Sequence, residues 1–240
     1  MISFLLAAAS DGPVTTQVRA TPVMCSTFLP TGSLSEQLDV WLEALAGSPG
    51  RQALPDLSGA SLVLLDLQRL FVDPSSPAYL PGWAAVAPRC QALLAAFRAA
   101  GRPVMFTRHV NPLGDDTGVI ALFGGRPLRS EDPLAALDPR WQPLGEEPVV
   151  HKQRYSPWLC EGLAARVPPG GTLVIAGVTT HRCALATAVE AASRDRVPVL
   201  VADACATRSA ELHLAALRCV ANGFGFVATT REVTHGLRAV

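Results

Sequence analysis

A cysteine stands where a predicted buried strand gives way to a predicted helix. The apolar run 173–176 predicts the strand, Gly177 ends it, and an alanine-rich helix is predicted for residues 182–194, so that Cys183 falls in the first helical turn. Free N–H groups at a helix N-terminus favour an anion, and we therefore expect the pKa of this thiol to lie below that of a free cysteine. Such a thiolate is a nucleophile; the alternative is a small buried hydrophobic residue, as most intracellular cysteines are.

The elements that must position this cysteine alternate along the chain. Strands are predicted at 62–65, 103–107, 148–151, 172–176, 197–202 and 224–228, and helices at 83–100, 156–167, 182–194 and 208–222. Alternating strands and helices build a mostly parallel sheet that is covered on both faces. The sequence therefore predicts an α/β fold, a three-layer sandwich around a six-stranded, mostly parallel sheet in the order 3-2-1-4-5-6.

A carboxylate follows the first strand of this sheet. Folds of this kind bind ligands beyond the carboxyl ends of the strands, at the point where the strand order reverses. In the predicted order that point lies between strands 1 and 4, which brings Asp66 close to Cys183. An aspartate there can accept a thiol proton, or it can cap a helix or close a loop. A Gly-rich phosphate-binding turn is missing at this place, which argues against nucleotide binding.

Three separated stretches resemble the isochorismatase-like cysteine hydrolase superfamily, over about residues 55–235. They are LLDLQRLF (64–71), VVHKQRYSPW (149–158) and AGVTTHRCALATA (176–188). The resemblance implies a triad with Asp66 as acid and base, Lys152 as the lysine that favours the thiolate, and Cys183 as the nucleophile. It also implies an oxyanion hole made by the backbone N–H groups of Thr179 and Cys183, and a cis peptide bond between Val178 and Thr179.

The superfamily covers two chemistries, and the presence of Cys183 favours the first. Amide hydrolases use the cysteine and pass through a thioester, whereas isochorismatases protonate a vinyl ether with the aspartate and lack the nucleophilic cysteine. We therefore expect an enzyme that hydrolyses a C–N bond in a small amide, carbamoyl or ureido substrate. The N-terminal arm and the motif RYSPW, which resembles the RYSAF of isochorismatases, keep the vinyl ether reaction open. A catalytically silent module that binds a metabolite or a partner protein is the third hypothesis.

Residues beside the triad are expected to shape the substrate site. Six side chains flank it: Gln68, Phe71, Arg108, His109, Tyr155 and Trp158. Arg108 and His109 could meet a substrate carboxylate or carbonyl, or they could be a surface arginine and a loop histidine. A single histidine without an Asp-x-His pair does not make a zinc site of the usual kind, so we expect no metal and no cofactor.

The composition is typical of a compact globular protein. Of 240 residues, 49% are hydrophobic and 17% are charged, and 20 Lys and Arg balance 20 Asp and Glu, so we expect neither nucleic acid nor a membrane as a partner. Six cysteines without CxxC spacing indicate a reducing cytoplasm. The resemblance adds the expectation of a homo-oligomer that acts on a small molecule.

Two regions are predicted, an N-terminal arm and helix at 1–54 and a hydrolase domain at 55–240. Residues 1–32 lack periodicity, whereas Ser33 opens a capping box before a helix that we expect to end at Ala46. This helix could pack on the main domain or on a second subunit. The Gly- and Pro-rich segment 110–147 is predicted to be a long functional loop.

Overall fold

A six-stranded parallel sheet organises the computed structural model, which describes residues 27–123, 125–160 and 162–238. The strands are β1 (Ser61–Leu65), β2 (Val104–His109), β3 (Val149–Lys152), β4 (Thr172–Val178), β5 (Val197–Ala206) and β6 (Phe226–Ala228). They lie in the order β3-β2-β1-β4-β5-β6, and every neighbouring pair is parallel. The predicted fold and strand order are confirmed, and β1 and β4 lie side by side at the reversal.

Helices surround this sheet. Within the described residues they are α1 (Leu34–Glu43), α2 (Pro49–Gln52), α3 (Arg69–Val72), α4 (Trp83–Ala99), α5 (Leu163–Arg166), α6 (Leu185–Ala192), α7 (Ala210–Cys219) and α8 (Thr230–Arg238). The helix α4 packs on β5 and α8, and α6 packs on β5 and α7. All residues of β1 and β4 are buried, because central strands are covered on both faces. None of the described helices has the length and apolar character needed to cross a membrane.

The N-terminal helix α1 belongs to the same core as the sheet. The side chain of Ser33 caps it by accepting a hydrogen bond from the N–H of Glu36. Trp41 and Leu45 are buried and join the cluster that contains the central strands. The helix therefore packs on the main domain, while most of the predicted arm, residues 1–26, lies outside the described part of the chain.

Several predicted elements differ from the structure, and among them β4 continues through Gly177, which was predicted to end it, to Val178. The predicted helix 156–167 is a 3-10 turn at Pro157–Leu159 followed by α5, since Gly162 has a φ of 104°, which interrupts a helix. The predicted helix 182–194 begins as a π-helical turn at Thr180–Ala184, so that α6 starts only at Leu185. The strand β5 continues past its predicted end to Ala206.

The segment between β2 and β3 is long and irregular, as predicted. It carries short 3-10 turns at Gly118–Phe123, Pro133–Ala135 and Pro139–Trp141. An antiparallel bridge joins Leu137 to Gln68, directly before α3. The returning part of this segment therefore lies beside the carboxyl end of β1, where Asp66 follows.

Candidate active site

Asp66 directly follows β1 and is fully buried. Its φ of 53° places it in the left-handed region, which costs a non-glycine residue about 1–3 kcal/mol. Thr107 of β2 holds it there, because the hydroxyl accepts a hydrogen bond from the N–H of Asp66 at 3.1 Å and donates one to its Oδ1 at 2.6 Å. The second carboxylate oxygen, Oδ2, is thereby aimed at the neighbouring lysine.

Lys152 ends β3, and its side chain is completely buried. Its Nζ lies 2.7 Å from Oδ2 of Asp66 and 3.3 Å from Sγ of Cys183, and it donates to the carbonyl oxygen of Arg154 at 3.3 Å. Burial lowers the pKa of Lys152, but the carboxylate and the sulfur outweigh burial, so the pKa lies above its usual value. Lys152 is therefore an ammonium ion that contacts both other members of the predicted triad.

Cys183 is protonated in this arrangement, contrary to the expectation of a thiolate. Burial raises the pKa of its thiol to about 12, with the carboxylate of Asp66 adding to the rise and Lys152 opposing it. The expectation was wrong mainly because the thiol is buried, and two further features contribute. The cysteine lies in the π-helical turn before α6, not in the first turn of an α-helix. The lysine beside it is already paired with Asp66, so little net positive charge remains to stabilise a thiolate.

The connection from β4 to this turn brings the backbone close to β1. Gly177 has a φ of 113°, and a Cβ atom at this position would lie 2.3 Å from the carbonyl oxygen of Leu65, so only glycine fits. The following Val178–Thr179 peptide bond is cis. The N–H of Thr179 donates no hydrogen bond within the described residues, whereas its carbonyl accepts from the N–H of Ala184.

Comparison with known proteins agrees with this fold. The family model described as the isochorismatase domain matches residues 60–232. The chain belongs to the isochorismatase family.

Relatives of this isochorismatase-family hydrolase include the maleamate amidohydrolase of Pseudomonas putida KT2440. It is 29% identical over 184 residues, which cover 74% of this chain and 86% of the relative. A probable isochorismatase of Pseudomonas chlororaphis is 29% identical over 181 residues, covering 74% and 86%. The crystal structure of a cysteine hydrolase from Pseudomonas syringae pv. phaseolicola superposes with a TM-score of 0.71 at 25% identity, covering 80% of this chain and 99% of that one.

Two of the six predicted substrate-site residues of this family member, His109 and Tyr155, lie beside the triad or the turn of Cys183. His109 is partly buried, and burial, helped by the charge of Lys152, lowers its pKa to about 4, so that the ring is neutral. Phe71 and Tyr155 are partly buried and pack against the core. The ring of Tyr155 lies 5.9 Å from the guanidinium carbon of Arg182, the residue before the cysteine. No group of three or more potential metal-binding side chains occurs within the ranges that the structure describes.

Gln68 and Arg108 bind the protein backbone, although the sequence predicted substrate contacts for both. The Nε2 of Gln68 donates to the carbonyl oxygens of His109 and Ala135, and its Oε1 accepts from the N–H of His109 at 2.7 Å. Arg108 donates to the carbonyl oxygens of Ala135 and Ser130. Both polar atoms of the Gln68 amide have backbone partners, and the two residues fasten the long loop to β2. Their role in the substrate site stays a prediction.

Trp158 also has a backbone partner, and its role in the substrate site stays a prediction. Its Nε1 donates to the carbonyl oxygen of Thr187 at 3.0 Å, and the hydroxyl of Thr187 donates to the carbonyl oxygen of Cys183 at 2.6 Å. The tryptophan therefore supports the helix that follows the turn of Cys183. Thr107, the partner of Asp66, was missed, although its place at the end of the second predicted strand is a signal that could have identified it.

Proposed function

We propose that this hydrolase cleaves the C–N bond of a small amide, carbamoyl or ureido compound through a thioester on Cys183. The observation that carries the proposal is the contact of one buried ammonium group with both other side chains, at 2.7 Å from Asp66 and 3.3 Å from Cys183. The carboxylate of Asp66 also lies close enough to the sulfur to raise the pKa of the thiol. A nucleophile and a base within hydrogen-bond reach are the pair that covalent amide hydrolysis requires.

In the first half-reaction the thiol loses its proton as it attacks. A pKa of about 12 means that the free protein holds a thiol, so proton transfer to Asp66 accompanies formation of the S–C bond. The carbonyl oxygen of the substrate becomes an oxyanion, for which the N–H groups of Thr179 and Cys183 are the proposed donors. Asp66 then gives the proton to the nitrogen, and the C–N bond breaks to release ammonia or an amine.

In the second half-reaction water replaces the nitrogen. Asp66, again a carboxylate, takes a proton from the water as its oxygen attacks the thioester carbonyl. The C–S bond breaks, the proton returns from Asp66 to sulfur, and a carboxylic or carbamic acid leaves. Lys152 stays an ammonium ion throughout and offsets the negative charge that moves between carboxylate and sulfur. Only water is consumed, so the proposal includes no metal and no cofactor.

A panel of amides and ureides, assayed for ammonia release, tests this function. We expect turnover by the wild-type protein and a loss of at least about 10³-fold in Cys183→Ala, because the covalent path is then closed. Cys219→Ala, at an exposed cysteine on α7, is the matched control and should keep full activity. Full ammonia release by Cys183→Ala would contradict the nucleophile assignment.

A second candidate is the vinyl ether hydrolysis of isochorismatases, which the similarity to the probable isochorismatase of Pseudomonas chlororaphis favours. In that reaction Asp66 would protonate the vinyl carbon, and the sulfur would take no part. Assay of isochorismate with the wild-type protein and Cys183→Ala separates the two hypotheses. Equal activity of both proteins on isochorismate, with no ammonia from the amide panel, would favour the vinyl ether reaction.

A further inference from the structure

A buried histidine contacts the turn that carries Cys183. His213 of α7 is completely buried, and its Nδ1 lies 2.9 Å from Oγ1 of Thr180. Thr180 is the first residue of the π-helical turn and directly follows Thr179, a proposed oxyanion donor. A hydrogen bond at this point joins the beginning of the nucleophile turn to α7.

The imidazole of His213 is neutral. Burial lowers its pKa to about 3, against a smaller opposing effect of the Ala202 carbonyl. A neutral ring has one N–H donor and one acceptor nitrogen, so it can bond the threonine hydroxyl without bringing a charge into the core. This histidine therefore acts as a fixed polar contact and not as a proton donor near neutral pH.

Two aromatic residues of the N-terminal segment enclose that ring. The indole of Trp41 lies 4.1 Å from the imidazole at an interplanar angle of 34°, and Phe28 meets it edge-on at 5.2 Å. Both residues are buried, and both precede residues 60–232, the part that matches the family model. This segment thus lies outside the matched part of the chain and packs on the histidine that contacts Thr180, the residue next to a proposed oxyanion donor.

We infer that Trp41 and His213 are positioning residues for the active site. Trp41 holds the imidazole in place, the imidazole holds Thr180, and Thr180 fixes the turn from which the thiol of Cys183 and the proposed oxyanion donors project. The N-terminal helix is then a functional part of the enzyme. The effect of these two residues on catalysis rests on the proposed role of Cys183. Their effect on the position of the thiol can be measured without a substrate.

The rate at which iodoacetamide alkylates Cys183, followed by mass spectrometry of the peptides, is that measurement. We expect Trp41→Leu and His213→Leu to speed the alkylation roughly fivefold or more, the factor that corresponds to losing about one hydrogen bond. Cys205, which is completely buried, is an internal control for general unfolding, and its alkylation should stay unchanged. His213→Asn, which keeps a polar group near the Nδ1 position, should stay within about twofold of the wild type.

Two control variants distinguish a change in the position of Cys183 from a general loss of protein stability. Val40→Ala changes an exposed residue of the same helix, and Leu45→Ala removes buried apolar volume from the same segment. Both should leave the ratio of Cys183 to Cys205 alkylation unchanged. With a substrate in hand, Trp41→Leu should lower kcat at least as much as it accelerates alkylation, with little change in KM. If Trp41→Leu does not fold, Trp41→Phe replaces it.

The outcomes are distinct. An unchanged alkylation of Cys183 in Trp41→Leu and His213→Leu, or a parallel rise at Cys183 and Cys205, would overturn the positioning role. Failure of His213→Asn to restore the wild-type rate would overturn the part assigned to the hydrogen bond. A wild-type protein that turns over no amide would contradict the proposed function, while the alkylation ratios would still decide the positioning role.

Discussion

Replacing Lys152 with methionine removes the central charge of the site while keeping an unbranched side chain of similar length. The side chains of Lys152 and Asp66 are 0% and 1% exposed, and their charged atoms are 2.7 Å apart. The variant therefore leaves a buried carboxylate without its counter-ion. Breaking a buried ion pair in this way costs about 3–5 kcal/mol. We expect Lys152→Met to lower the free energy of unfolding by that amount at neutral pH.

Urea unfolding followed by tryptophan fluorescence measures this loss. Arg154→Met is a matched control two residues further along, because the ion pair of Arg154 with Asp115 has a 3.1 Å separation but leaves the arginine 44% exposed. Ion pairs of that kind contribute about 0–1 kcal/mol. Both variants lose one cation and gain the same side chain. The difference between their losses of unfolding free energy therefore reports the effect of burying the ion pair.

A double variant, Asp66→Asn with Lys152→Met, completes the test. It removes both charges, so it should be more stable than Lys152→Met alone, even though it lacks one more native group. A loss below about 1 kcal/mol in Lys152→Met would refute the buried ion pair. A double variant less stable than the single one would refute the idea that an unpaired carboxylate causes the loss.

Three further predictions follow from the site. Because the pKa of Cys183 is raised to about 12, its alkylation should be slow at neutral pH, and the rate should increase about tenfold for each unit by which the pH is raised toward the pKa. Fast alkylation at a rate that does not depend on pH would reveal a thiolate. Gly177→Ala should destabilise the protein by more than about 2 kcal/mol, because a steric clash is added to backbone strain, whereas Gly101→Ala, at a φ of 63° with free space around it, should cost only about 1 kcal/mol. Equal shifts in thermal unfolding would contradict the close approach of Gly177 to β1. Thr107→Val should reduce kcat about tenfold, because Asp66 loses the hydroxyl that orients it, and an unchanged kcat would count against that role.

Much of the architecture could be predicted because it depends on local patterns. Continuous apolar runs in β1 and β4 indicated central strands of a parallel sheet, and the reversal between them was enough to place Asp66 near Cys183. The position of the Lys152 side chain could not be predicted from such patterns. Its strand is at the edge of the sheet, and only the resemblance to a family suggested that its side chain would reach inward past β2.

The chemical state of the site could not be predicted from these patterns. The pKa of Cys183 depends on how deeply the thiol is buried and on the pairing of the lysine with Asp66, and both are properties of the assembled site. The structural roles of Gln68 and Trp158 depend on backbone carbonyls that come from distant segments. Every residue type has such a carbonyl, so no sequence motif marks these partners.

The way in which the long loop is fastened bears on how such enzymes diversify. The side chains of Gln68 and Arg108 both donate hydrogen bonds to the main-chain oxygen of Ala135, in the part of the loop that leads back to β3. Arg108 also donates to the main-chain oxygen of Ser130. Hydrogen bonds of this type tolerate almost any side chain at Ser130 and Ala135, because every residue has the main-chain carbonyl oxygen that accepts them. Directed evolution could therefore randomise the exposed turn Gly118–Phe123 and explore new specificities while the scaffold beneath it stays intact.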